Sequence, residues 1–122
     1  MEKENRILLE QSQTDALTGI PNRYRLEQHA QKVFEHAIAE KIPVAVEILD
    51  IDYFKQYNDN YGHQKGDLCI CRVAKEIQKL AEKDNIFCAR YGGDEFMAVI
   101  YHTSKAEVED ILKYLRREKD RL

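Results

Sequence analysis

The chain is short of proline and glycine, of long apolar runs and of any basic excess. Each shortage excludes something. With two prolines and five glycines in 122 residues there is no Pro/Gly/Ser linker, low-complexity tract or internal repeat. The length then admits one domain, able to bury roughly two-thirds of its unfolded surface. Cys69, Cys71 and Cys88 are odd in number and form no C-x-x-C pair, which argues against a disulfide framework or a zinc site. Lying in apolar stretches, they read as buried thiols in a reducing compartment. No run approaches the ~20 apolar residues of a membrane span, and M-E-K-E-N-R lacks the apolar core of a signal peptide. The expectation is a cytoplasmic domain without membrane contact of its own. A net charge of -3 argues against a nucleic-acid polymer as partner, and the tyrosines lack the spacing of a base-stacking platform.

What is present is an alternation of helical and strand patterns. Residues 1–13 read as a helical lead-in or connector, and 14–122 as the domain proper. Thr18 to Asn22 (T-G-I-P-N) reads as a turn, with Pro21 placed to open a helix. Leu26, Ala30, Val33, Phe34, Ala37 and Ile38 then recur at helical spacing. Pro43 closes that helix, and Val44 to Ile51 reads as a strand whose one polar interruption is Glu47. The segment from Asp52 to Gly66 predicts a short helix and a loop. Ile70, Val73, Ala74, Ile77, Leu80 and Ala81 mark one face of the next helix. Ile86 to Tyr91 and Glu95 to Tyr101 flank Gly92-Gly93 as a β-hairpin. Ser104 and Glu107 form a capping-box pattern before Val108, Ile111, Leu112 and Leu115. Lys113, Arg116, Arg117, Lys119 and Arg121 read as the solvated face of that helix.

This order predicts an α+β fold, one sheet with helices packed on it, of the ferredoxin-like βαββαβ type. The strand expected after the last helix would pair beside the first, so Val44 to Asp50 is expected to present an edge.

The informative residues are acids at strand ends. Asp50 and Asp52 close the first strand, and Asp94 and Glu95 follow Gly92-Gly93 at the hairpin tip. If the hairpin lies beside the first strand, Asp50 and Asp94 converge, and converging carboxylates repel unless a cation lies between them. Oxygen donors suit Mg²⁺, which binds through one or two carboxylates together with substrate phosphates. The glycines can take the positive φ of a tight turn and let an anion approach the backbone. No Gly-x-x-x-x-Gly-Lys-Ser/Thr occurs, so this is not a P-loop. Lys55 could steady a transferring phosphate, and Asn58 and Asp67 could read a base edge. Plainer roles are a surface lysine, a turn residue and a carboxylate in the first turn of a helix. His63, in Y-G-H, could touch a ligand or be idle.

At R-Y-G-G-D-E-F (Arg90 to Phe96) the sequence resembles the GGDEF domain family, the diguanylate cyclases. Three further segments match in order: D-A-L-T-G-I-P-N-R (Asp15 to Arg23), D-I-D-Y-F-K-Q-Y-N-D (Asp50 to Asp59) and Y-G-H-Q-K-G-D (Tyr61 to Asp67). The resemblance implies a palm-type fold that condenses two GTP into cyclic di-GMP plus two pyrophosphates across a homodimer. It implies Mg²⁺, with Mn²⁺ as a substitute, on Asp50, Asp94 and the Ile51 carbonyl. It gives Tyr53 and Phe54 backbone N–H groups to the phosphates, alongside Gly92 and Gly93, and Lys55 to transition-state charge. Asn58, His63 and Asp67 fall to the guanine nucleotide, and Asp94 or Glu95 to deprotonating the 3′-hydroxyl. It further implies an upstream sensor domain, a parent protein open to membrane anchoring, and a last strand and helix with phosphate-holding basic residues after Leu122. The alternative is a silent GTP-binding or regulatory module. The family's Arg-x-x-Asp product-inhibition motif is replaced by K-D-N-I, Lys83 to Ile86, so feedback at that site is not expected.

Overall fold

A computed structural model describes residues 12–82, 86–101, 104–110 and 113. Six elements run in the order α1 (Arg23–Glu40), β1 (Val44–Asp50), α2 (Phe54–Tyr61), α3 (His63–Ala81), β2 (Ile86–Gly92) and β3 (Glu95–Tyr101). The sheet is ordered β1-β3-β2, with β3 antiparallel to both neighbours. The α+β expectation holds, and β1, α3, β2 and β3 follow the leading part of a βαββαβ arrangement.

Local chemistry explains the boundaries. Asn22 is the N-cap of α1, its side chain accepting from the Arg25 N–H at 2.9 Å. Pro21 therefore stands one residue before the cap, not at the first helical position. Its carbonyl accepts from the Arg90 N–H at 3.0 Å, which ties the helix entry to β2. Lys41 closes α1 in the left-handed region at φ 56°, donating its N–H to Ala37. The loop expected before Gly66 shrinks to Gly62, whose φ of 89° suits a residue without Cβ. The helix with Ile70 on its inner face thus begins at His63. Ser104 caps the last helical stretch, residues 105–110, accepting from the Glu107 N–H at 3.1 Å. Val108 there is buried; Ile111, Leu112, Leu115 and the side chain of Leu80 lie outside the described residues, as do residues 1–11.

The two main helices use opposite faces of the sheet. On one face Ile70, Ala74 and Ile77 of α3 pack with Leu49, Ile86, Cys88, Phe96, Ala98 and Ile100. On the other, Leu26 of α1 packs with Ala89 and Val99, flanked by Ala30, Val33, Val44, Phe87 and Met97. The period of two along β2 and β3 sorts their residues between the clusters. β3, central and fully paired, carries Phe96, Ala98 and Ile100 at 0% exposure.

The apolar stripe of α1 is wider than the surface that covers it. Phe34 is 39% and Ile38 80% exposed, and on β1 Val46 and Ile48 are 44% and 55% exposed. Alternation puts Val46 and Ile48 on the α1 face with Val44, yet α1 reaches only the start of that strand. Among the described residues β1 pairs with β3 alone, which leaves the edge foreseen from the sequence. Glu47 is half-buried opposite Ala98. Of the thiols, Cys88 is buried and its pKa is pushed up by burial to about 12. Cys69 and Cys71 are half-buried instead, because α3 turns them toward its flanks.

His29 of α1 stacks on Phe87 at 4.0 Å and tilts against Tyr101 at 5.7 Å. Its Nε2 is buried without a hydrogen-bond partner among the described residues. Burial first, then Arg25 and Lys32, lowers its pKa from 6.5. A base whose folded pKa is depressed costs nothing when both states are neutral. As pH falls below 6.5 the unfolded chain binds the proton first, so stability declines. Melting curves between about pH 7 and pH 5 should therefore fall less steeply for His29→Phe than for the native chain. Parallel curves would refute that origin.

Candidate functional site at the strand ends

The site is built where β1 ends and the β2–β3 hairpin turns. The β1–β3 register sets Asp50 opposite Glu95, and the Ile51 N–H donates to the Asp94 carbonyl at 3.3 Å. Asp50, Asp94 and Glu95, from two distant segments, thus lie at one end of the sheet. Asp50 and Glu95 are exposed and Asp94 is half-buried. Directly opposed like charges destabilise a strand pair, a repulsion that a cation between them would relieve. Asp52 lies in the turn beyond the strand, exposed and off the ladder.

The hairpin differs from expectation in one respect. Neither Gly92 nor Gly93 has a positive φ; among glycines that region is taken by Gly19 and Gly62. The reason is a bulge. Register shifts between Arg90 and Gly92, leaving Tyr91 as the extra residue before the Gly93–Asp94 turn. The added twist of a bulge removes the need for a left-handed turn residue. A Cβ added at Gly92 or Gly93 would meet nothing within 4 Å. These glycines are thus needed neither for backbone angle nor for packing among the described residues. They leave open backbone beside the acids, as an anion would require.

The chain leaves β1 through Tyr53, which sits in the left-handed region at φ 60° and is 79% exposed. For a non-glycine residue that conformation costs on the order of 1–2 kcal/mol. Tyr53 is the N-cap of α2 and supplies no side-chain cap, so the first N–H groups of the helix are offered outward at its positive end. Phe54 turns inward and packs against the α3-side core. Lys55 is exposed beside it.

Asn58 on α2 lies against Gly66 on α3, where a Cβ would fall on the Asn58 side-chain oxygen. That oxygen is buried and has no hydrogen-bond partner among the described residues. Gly66 is therefore a spacing requirement that motif reading passed over. Asp67, next in sequence, is exposed, as is His63. The first turn of α3 holds no acidic residue, so Asp67 does not stabilise a helix start: α3 begins four residues before it. The α2–α3 packing thus sets Asn58 against Gly66, the chain neighbour of Asp67, while His63 stands at the start of α3.

A further group was invisible in the sequence. The Asp15 carboxylate accepts from the Thr18 N–H at 2.9 Å, the Thr18 hydroxyl at 2.8 Å and Arg90 Nη1 at 3.1 Å. Arg90 Nε and Nη2 donate to the Gly93 carbonyl at 3.0 and 2.8 Å. The Asp15 and Arg90 side chains are 19% and 17% exposed. Both residues belonged to recognised segments, but no spacing rule joins positions so far apart.

The donor set suits a hard divalent cation. Asp50, Asp94 and the Ile51 carbonyl are all oxygen donors on adjacent strand ends. Among the described residues no group of three or more His, Cys, Asp or Glu could hold a metal. Two protein carboxylates completed by phosphate oxygens are the usual Mg²⁺ arrangement, and the residues fit it.

The fold and site define an α+β palm-like domain with acidic strand ends. The chain belongs to the GGDEF domain family: the family described as "Diguanylate cyclase, GGDEF domain" matches residues 12–122. It is 30% identical over 118 residues to diguanylate cyclase DgcP of Escherichia coli, covering 97% of this chain and 34% of that protein. It is 41% identical over 98 residues to cyclic di-GMP phosphodiesterase PdeR of the same organism, covering 79% of this chain and 14% of that protein. Among solved structures it resembles the GGDEF domain of DgcB from Caulobacter crescentus in complex with c-di-GMP, with TM-score 0.77 and 34% identity, covering 88% of this chain and 62% of that one. The chain thus spans about a third or less of these two curated relatives.

Two outcomes follow from the geometry. Gly66→Ala should destabilise the native chain through the clash with Asn58, although alanine favours helix. In an Asn58→Ala background the same change should stabilise by up to about 1 kcal/mol. Denaturant titrations of the four proteins should give a coupling of about 1–3 kcal/mol. The second concerns acid. Burial raises the pKa of Asp15, but the Thr18 and Arg90 hydrogen bonds outweigh it and hold the carboxyl below 3.8. A depressed folded pKa stabilises above the unfolded value and is lost as pH falls through the folded one. Melting followed from about pH 5 to pH 2 should show a shallower acid loss for Asp15→Asn.

Proposed function

We propose that this chain is a diguanylate cyclase domain, condensing two GTP into cyclic di-GMP with release of two pyrophosphates. The observation that carries the reading is the opposition of Asp50 and Glu95, with Asp94 adjoining, beside open backbone at Gly92 and Gly93. Acids alone would make an unstable strand end. Acids beside an anion seat make a place for a metal and a triphosphate.

On this reading Asp50, Asp94 and the Ile51 carbonyl hold Mg²⁺ or Mn²⁺. A metal held there would supply charge neutralisation for phosphoryl transfer. The N–H groups of Tyr53 and Phe54, at the positive end of α2, receive phosphate oxygens. Lys55 offsets charge accumulating on the departing pyrophosphate. Asn58 and Asp67 present amide and carboxylate groups to the guanine edge, with His63 at the rim. Glu95 or Asp94 accepts the proton of the 3′-hydroxyl as its oxygen attacks the α-phosphorus of the second GTP. The new 3′-O–P bond forms as the bond to pyrophosphate breaks.

One GTP per subunit requires two copies face to face, so the active unit is a homodimer. On the same reading a sensor domain in the parent protein would govern that pairing. Among the described residues no helix is long and apolar enough to cross a membrane; a GTP-consuming domain with free thiols suits the cytoplasm.

Incubating the chain with GTP and Mg²⁺ at rising protein concentration, with chromatography of products, tests the reading. Cyclic di-GMP and pyrophosphate are expected, in a yield rising more steeply than protein concentration. Asp94→Asn should lower turnover by roughly a hundredfold or more, the equivalent of several kcal/mol of lost charge stabilisation. GTP binding without product would make the domain a silent nucleotide-binding module. No binding would overturn the assignment.

A further inference from the structure

We infer that Arg90 is a positioning residue for the hairpin tip and that Asp15 acts through it. Together they make the 12–22 turn a structural determinant of where Asp94 stands. The inference rests on reading the hairpin tip as the reaction site, but its evidence is separate.

Every nitrogen of the Arg90 guanidinium is engaged. Nη1 meets both Asp15 carboxylate oxygens, while Nε and Nη2 converge on the single Gly93 carbonyl. That carbonyl belongs to the peptide linking Gly93 to Asp94. Gly93 has no side chain and nothing packed on it within 4 Å of a virtual Cβ, so its peptide has little else to fix its plane. The turn is otherwise flanked by the Gly92–Glu95 pairing and by the long 3.3 Å bond from the Ile51 N–H to the Asp94 carbonyl. A peptide plane held at one oxygen by a planar, two-pronged donor cannot rotate without breaking charge-assisted bonds.

The other end of the strap is itself anchored. Asp15 is held by Thr18, and its N–H donates to the Ile20 carbonyl at 2.7 Å. Asn22 closes the same turn, donating its N–H to Gln13 and its side-chain amide to Ser12. Cys71 of α3 donates its thiol to the Leu17 carbonyl at 3.4 Å. Displacing residues 12–22 therefore pulls on Asp15, then Arg90, then the Gly93–Asp94 peptide. Because the link is a fork and not a point charge, lysine cannot replace it.

Amide hydrogen exchange of the chain, read residue by residue by NMR, tests this without ligand or turnover. In Arg90→Lys the Ile51 amide should exchange at least about tenfold faster, as expected for losing a charge-assisted hydrogen bond nearby. The central β3 amides, Met97 to Ile100, should be unchanged. Asp15→Asn should accelerate Ile51 in the same selective way but less, since Arg90 keeps its hold on Gly93. Unchanged exchange at Ile51 in Arg90→Lys overturns the inference. So does an equal rise across β3, which would mark a merely structural ion pair. A companion titration with Mn²⁺ alone, followed by electron paramagnetic resonance, separates the two readings. If the native chain binds Mn²⁺, weaker binding by Arg90→Lys supports the strap and equal binding opposes it. If the native chain binds none, the metal reading fails and the exchange data still decide the strap.

Discussion

The register of β1 against β3 is the constraint on which everything else rests. It places Leu49 opposite Phe96 within the α3-side core and Asp50 opposite Glu95 at the strand end. Because side chains alternate along a strand, a slip of one residue would exchange the buried and exposed sets of β1. Leu49 would leave the core in the same movement that separated the acids. Hydrophobic burial and site geometry are therefore enforced by one pairing. An unfavourable opposition of carboxylates is held in place by apolar residues one step inward, which stabilise the strand by roughly 25 cal/mol for each Å² of apolar surface removed from water.

The molecule divides its stability unevenly. The α3 face buries a continuous cluster reaching from Ile20 to Ile100, whereas the α1 face rests on Leu26, Ala89 and Val99 and leaves Phe34, Ile38, Val46 and Ile48 exposed. The site residues Asp50, Lys55, His63, Asp67 and Glu95 lie outside both cores and are exposed. Being exposed, they contribute little apolar burial to folding. Strain collects at the same place: Tyr53 holds a left-handed backbone where the chain turns from β1 into α2. Such conformations persist only where the surroundings over-determine them, and here Phe54, seated in the core one residue later, supplies that determination.

Most of the fold was legible in the sequence. The helical spacing of α1 and α3, the hairpin around Gly92-Gly93, the strand before Asp50 and the Ser104 cap each follow from local rules of period and capping. The errors share a cause. Period alone marks Phe34 and Ile38 as inward, but burial depends on whether a neighbour reaches them. Glycine pairs suggest left-handed turns, but the Tyr91 bulge supplied the twist from outside the turn. A helix start near Ile70 and a first-turn role for Asp67 gave way because α2 and α3 are separated only by Gly62.

By itself the sequence determined the kinds of element, their order, and which acids and glycines stand at strand ends, since these depend on contacts within a few residues. Four ordered segments also settled the family. Only the tertiary structure decided which acid faces which, that α1 and α3 take opposite faces of the sheet, and that Gly66 makes room for Asn58. It alone joined Asp15 to Arg90 and Arg90 to Gly93. Hydrogen bonds between residues 75 positions apart leave no local pattern, because their energy is gained only after the strands between them have paired.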